Sequence, residues 1–195
     1  ADELLDGECD FDYLEEQFPQ QVKVAKVGDA ERLISSVYDT MIARSEGQNP
    51  PTERIFLMFF GINRARRLRN SGMYDNDSND EMSAFEKMLK ILKSGPQNGI
   101  NTILWGESHR SIELMLGDSY DTLFDKRIAY GLDSDIMDFL VAETDTKSLN
   151  GQTAVYMDVN TDVKNTHFRP YDVPAKVWVE RYAEVYDRTV NEGGI

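Results

Sequence analysis

Two short apolar runs are each followed by residues able to meet a ligand. Residues 100–105 (INTILW) lead into Gly106, Glu107, Ser108 and His109, and residues 127–131 (RIAYG) lead to Asp133. Runs of this length, bounded by turn residues and separated by helix-period segments, read as buried parallel strands. In such sheets ligands sit just past the carboxyl ends of the strands, so Glu107, Ser108, His109 and Asp133 are candidate ligand-facing residues. Glu107 can accept a hydrogen bond from a ligand or a neighbouring loop; its structural alternative is an exposed loop acid. Arg127 can pair internally with Asp125 or Asp133.

Three other constellations carry weaker chemistry. Arg64, Arg66, Arg67 and Arg69 form the one dense basic patch, but helical spacing spreads them around most of a helix instead of along one phosphate-binding stripe. They read as a solvated helix answering the acidic loop that follows, or as a contact for an acidic partner or nucleic acid. In that loop Asp75, Asp77, Asn79 and Glu86 fall at positions 1, 3, 5 and 12 of a calcium-loop pattern. Position 6, which wants glycine for its sharp turn, holds Asp80, and no second loop pairs with it. A flexible acidic linker is the alternative. His109 and His167 lack metal-spaced companions, no G-x-S-x-G occurs, and nothing pairs Cys9 with a base.

Composition bounds the rest. With 195 residues the chain can hold one domain with a proper core. Its 35 acidic and 21 basic residues give a net charge of -14, which repels a phosphate backbone unless the cations cluster. The single cysteine excludes an internal disulfide framework and fits a reducing, cytoplasmic compartment. No apolar run approaches the roughly 20 residues that span a bilayer, and no signal peptide is visible. The chain opens on Ala1 and not on Met, so an upstream part stays in play.

The elements that would position these residues follow from periodicity. Residues 1–18 form an acidic segment with a helical stretch stopped by Pro19, and residues 19–195 read as a single α/β domain. Residues 21–27 alternate like a short strand. Asp29 would cap a helix through residue 44, and residues 54–60 (RIFLMFF) are the most apolar strand, expected at the centre of the sheet. Helical propensity returns at residues 62–70 and at 82–93, the latter with Phe85, Met88, Leu89 and Leu92 inward. A helix follows Asp133 or Ser134. Strands are expected at 153–158, after an Asn150-Gly151 turn, and at 165–169. A last helix, 175–192, would place Val177, Trp178, Tyr182, Val185 and Tyr186 on one face. The alternation predicts a mainly parallel sheet flanked by helices, with an antiparallel edge from the last two strands.

The segments GINTILWGES, LFDKRIAYGLDSDIMDFL, LNGQTAVYMD and FRPYDVP, in this order, resemble the carboxyl-terminal half of the motor domain of the FtsK/SpoIIIE family, over residues 51–178. That family contains DNA translocases and the multi-domain ATPases of type VII secretion. The resemblance implies a P-loop NTPase-like, RecA-like sheet and places Glu107 at a polar sensor position. It also places Arg127 where the family carries an arginine that can face a neighbouring subunit. ATP with magnesium would belong to the parent assembly, and the partners would be sibling ATPase domains, with a secreted protein or DNA as substrate.

The sequence departs from this pattern at two points. A phosphate-cradling loop needs G-x-x-x-x-G-K-[ST], yet none of the 13 glycines is followed by Lys. Where the family has one or two carboxylates to hold magnesium, residues 60–63 read Phe60, Gly61, Ile62 and Asn63. The resemblance therefore implies a fragmentary or non-hydrolytic copy serving regulation, assembly or substrate docking. Two alternatives remain open: a stand-alone interaction module that kept the fold without nucleotide, and part of an active translocase whose phosphate loop lies upstream.

Overall fold

Ser83 opens the helix that organises the larger core. Its hydroxyl accepts from the Glu86 backbone N–H at 3.2 Å, and the Glu86 carboxylate accepts from the Ser83 N–H at 2.8 Å, satisfying two helix-end donors reciprocally. The helix α3 (Ala84–Ser94) then buries Phe85, Met88, Ile91 and Leu92. An earlier helix, α2 (Ala30–Glu46), buries Ile34, Val37 and Met41 at matching spacing, and the two pack against each other. Asp29, expected to cap α2, makes no side-chain cap and instead ends a 3-10 turn, Val27–Asp29. Residues 21–27 form no strand; the Gln21 and Val22 N–H groups turn back to the Phe18 carbonyl.

Our computed structural model describes residues 10–47, 53–61, 65, 68, 82–143, 152–162 and 165–191. Most of the helix expected at 62–70, and the Asn150-Gly151 turn, lie outside them. The chain divides into two compact units: Ala1–Lys26 with Pro170–Ile195, and Val27–Arg169.

In the second unit, strands β1 (Ile55–Phe60) and β2 (Ile100–Trp105) run parallel, with Ile55 opposite Ile100 and Phe60 opposite Trp105. The connection through α3 doubles back tightly. At Gly95 a Cβ would strike the carbonyl oxygens of Ile91 and Ile100, so only glycine fits. Ile55, Leu57, Phe59, Ile100 and Leu104 face α2 and α3. The opposite face, with Phe56, Met58, Ile103 and Trp105, is about half exposed.

This corrects two expectations. The strand at 54–60 is not the centre of a large sheet, because among the described residues β1 pairs only with β2. Its apolar run also does not signal two covered faces: burial alternates along it. An unbroken apolar run reports what a strand can tolerate on each side, not that a second layer is supplied.

The remaining strands form a separate antiparallel sheet in the order β3-β4-β5, comprising β3 (Lys126–Tyr130), β4 (Ala154–Asp158) and β5 (Thr166–Phe168). Antiparallel pairing of the last two strands is as expected. That β3 also pairs antiparallel, with Arg127 opposite Met157, is not. Arg127 and Ala129 turn inward while Ile128 and Tyr130 are exposed, the alternation of a sheet covered on one face. Helix α5 (Ser134–Val141) supplies that cover, with Met137 and Val141 packed on Ala129 and Val155. Among the described residues the fold is therefore mixed α/β with two small sheets, and not one mainly parallel sheet.

In the first unit, Asp10 caps α1 (Phe11–Gln17) by accepting from the Tyr13 N–H at 2.7 Å. The Tyr13 hydroxyl donates to Glu180 at 2.5 Å, Lys176 sits over the Tyr13 ring, and Phe18 meets Tyr182 and Tyr186 edge-on. These contacts join α1 to α6 (Lys176–Asn191). The buried line of α6 is Val179 and Ala183; of the face expected from the sequence, Tyr182 and Tyr186 meet Phe18, whereas Val177, Trp178, Tyr182 and Val185 are more than half exposed. Bulky residues there exceed what a single short helix can cover. Among the described residues no helix is long and apolar enough to cross a membrane.

Candidate functional site

The carboxyl ends of β1 and β2 meet where the sequence places a ligand. After β1, Phe60 is half exposed and Gly61 adopts φ 68°, with its N–H donating to the Trp105 carbonyl at 3.2 Å. This bond ties the two strand ends together through backbone alone. Neither Phe60 nor Gly61 has a side-chain oxygen, so the corner does not fit magnesium with a triphosphate.

After β2, the expected ligand-facing residues take different roles. Ser108 is the N-cap of α4 (His109–Leu116), accepting from the Ser111 N–H at 3.2 Å while the Ser111 hydroxyl faces the Ser108 N–H at 3.3 Å. Its oxygen serves the helix end. His109 turns inward: its Nδ1 shares a hydrogen bond of 2.7 Å with the Tyr120 hydroxyl, and its ring lies against Phe139 at 5.3 Å. Tyr120 is buried, and that burial, with the nearby charges of Asp121 and Glu113, pushes its phenol up to about 12. Glu107 stays exposed at the mouth of the loop.

The segments following β2 and β3 do converge, because Phe139 belongs to α5, the helix that follows Asp133. Asp133 contributes its backbone carbonyl to the first turn and no side-chain cap. What the segments build is an aromatic contact of His109, Tyr120 and Phe139, with no convergent polar cradle.

Arg127 is a brace. Its Nε donates to the Phe124 carbonyl at 3.1 Å, Nη1 to Leu140 at 3.1 Å and Nη2 to Asp121 at 2.9 Å, and it pairs with the Asp121 carboxylate at 3.6 Å. The expected partners Asp125 and Asp133 are thus replaced by Asp121. The guanidinium fork can meet three carbonyls at once because its donors are fixed in a plane. One of them lies in the last turn of α5, where carbonyls lack helical partners.

Arg64, Arg66, Arg67 and Arg69 lie outside the described residues, as do Asp75, Asp77 and Asn79. Glu86, the last residue of the calcium-loop pattern, is engaged in the Ser83 cap, and the hydrogen bonds from Ser83 hold its carboxyl below the usual range. Among the described residues no group of three or more His, Cys, Asp or Glu side chains can hold a metal ion.

No protein-family model matches the chain, and neither a curated protein nor a solved structure does. The functional reading thus rests on the chain's own residues.

A second polar feature was not foreseen. An open groove of about 490 Å³ beside the β4–β5 hairpin is lined by Glu143, Asp158, Thr161, Asn165 and His167. His167 Nε2 meets the Glu143 carboxylate at 2.9 Å, and Asn165 donates to the Val141 carbonyl at 2.6 Å. Asp158 is held by Lys126, which together with the Asn160 N–H keeps its carboxyl below the ordinary range. Glu143 and His167 are 24 residues apart, a separation with no motif spacing. The one sequence signal was a histidine at an outward position of a three-residue strand.

Proposed function

We propose that this chain is a non-hydrolytic, ATPase-like module that packs against sibling domains of a larger translocation or secretion ATPase, for regulation, assembly or substrate docking. The observation that supports it is the corner after β1. The first strand of a strand–helix–strand crossover ends in Phe60 and Gly61, where metal-assisted phosphoryl transfer needs a carboxylate. Ser108 and His109, the neighbouring polar candidates, are engaged by α4 and Tyr120.

Melting curves recorded with a non-hydrolysable ATP analogue at millimolar concentration, with and without magnesium, test the reading together with a phosphate-release assay. A retained nucleotide site stabilises the folded chain through mass action, by about 2.7 kcal/mol at a hundredfold excess over the dissociation constant, and so raises the melting temperature. Phosphate release by the chain alone would refute the non-hydrolytic reading. The alternative, a stand-alone interaction module without nucleotide, is favoured by the half-exposed apolar side chains on β1 and β2. It requires a melting temperature indifferent to both analogue and magnesium.

A further inference from the structure

Among the described residues, the parallel pair β1–β2 is covered on one face only. Its outer face carries Phe56, Met58, Phe60, Asn101, Ile103 and Trp105, set side by side by the strand register. Phe56 is 55% exposed, Met58 50%, Ile103 46% and Trp105 59%. Parallel sheets are as a rule covered on both faces, and every side chain on this one is uncharged in a chain of net charge -14.

We propose that this face is a self-association surface whose occupant is the same face of a second copy of the chain. The first argument is electrostatic. A two-fold contact brings each residue near its own symmetry mate, which an apolar side chain tolerates and a carboxylate does not. Two strongly acidic copies repel over most of their surfaces, and a face without ionisable groups is where they can meet. A basic partner would be drawn to the acidic surface, and this face offers it no opposite charge.

The second argument is area. Large side chains of about 150–250 Å² each, half exposed at four positions, give an apolar patch of about 400 Å² per copy, within the size range of functional patches. A stable pair buries about 800 Å² per partner. At about 400 Å² per copy this face is about half that size, so the pair is weak and reversible. Two sheets stacked about 10 Å apart would interdigitate Phe56, Met58, Ile103 and Trp105 with their mates.

The proposal goes beyond the nucleotide reading and stands or falls without it, since it invokes no nucleotide and rests on the exposure of Phe56, Met58, Ile103 and Trp105. Sedimentation equilibrium of the full chain from about 5 to about 500 µM, at low and high salt, tests it. A monomer–dimer equilibrium is expected that tightens as salt is raised, because screening weakens the repulsion between acidic copies. Ile103→Lys and Met58→Lys should each weaken the dimer at least about tenfold while leaving the far-UV spectrum and melting temperature unchanged, because both side chains are already half in water.

Ile103→Cys in a Cys9→Ser background should form a disulfide-linked dimer on mild oxidation. A monomer at every concentration and salt would assign the face to a different protein and overturn the proposal. So would a dimer that loosens with salt, or one indifferent to both lysine variants.

Discussion

Replacing Arg127 by Ala removes three hydrogen bonds at once and leaves the carbonyls of Asp121, Phe124 and Leu140 without that donor. A hydrogen bond from a charged donor contributes about 1.5–3 kcal/mol. The Arg127 side chain is 16% exposed, so water re-enters and replaces part of what is lost, which brings each of the three bonds down to about 1 kcal/mol. The Asp121 ion pair, at 3.6 Å, adds about 0.5 kcal/mol or less.

The expected cost of Arg127→Ala is about 3 kcal/mol. With a urea slope of about 1.5–2 kcal/mol/M, the unfolding midpoint should fall by about 1.5–2 M. Lysine keeps the charge but gathers its donors at one nitrogen, so Arg127→Lys should recover about 1 kcal/mol and no more. Equilibrium urea unfolding followed by far-UV circular dichroism measures both. Should the alanine variant shift the midpoint by less than about 0.3 M, the bracing role is wrong and Arg127 acts elsewhere, as at a neighbouring subunit.

Ser83→Ala should cost about 1 kcal/mol by opening the cap of α3, measured by the same titration. Because the folded Glu86 carboxyl lies below its unfolded value of 4.5, its contribution is present above pH 4.5 and lost as pH falls through the lower folded value; Ser83→Ala should flatten that acid limb. Tyr120 gives the converse at high pH. Its folded value of about 12 lies above the unfolded 10, so its contribution is complete below pH 10 and lost as pH rises toward 12. Tyr120→Phe should abolish that alkaline loss while costing about 1 kcal/mol at neutral pH for the bond to His109. The Thr102 hydroxyl is buried with no hydrogen-bond partner among the described residues, so Thr102→Val should raise stability by about 1 kcal/mol; a loss of that size would show that the hydroxyl is satisfied.

Local pattern and tertiary context separate clearly in this chain. Residues 82–93 read as a helix because Phe85, Met88 and Leu92 recur at 3.6-residue spacing, and α3 forms there with those side chains buried. Such information is carried within one or two turns of chain. The residues of the corner after β1 were equally legible: Phe60 and Gly61 lack metal-holding oxygens wherever the strand lies.

Beyond the antiparallel pairing of β4 with β5, strand partners were not legible. RIFLMFF and RIAYG are both short apolar runs, yet one joins a parallel pair and the other an antiparallel sheet. Side-chain periodicity reports which faces are apolar, and not which backbone meets the free N–H and C=O groups. The role of Arg127 was hidden for the same reason. Its partners are three main-chain carbonyls, 3, 6 and 13 residues away, and carbonyls are identical at every position of a sequence. The sequence alone determined the inward face of α3, the lack of side-chain oxygens at Phe60 and Gly61, and the acidic net charge. The direction of β3, the open face of β1–β2 and the inward turn of His109 were decided by tertiary structure, because each depends on which distant backbone or ring arrives beside it.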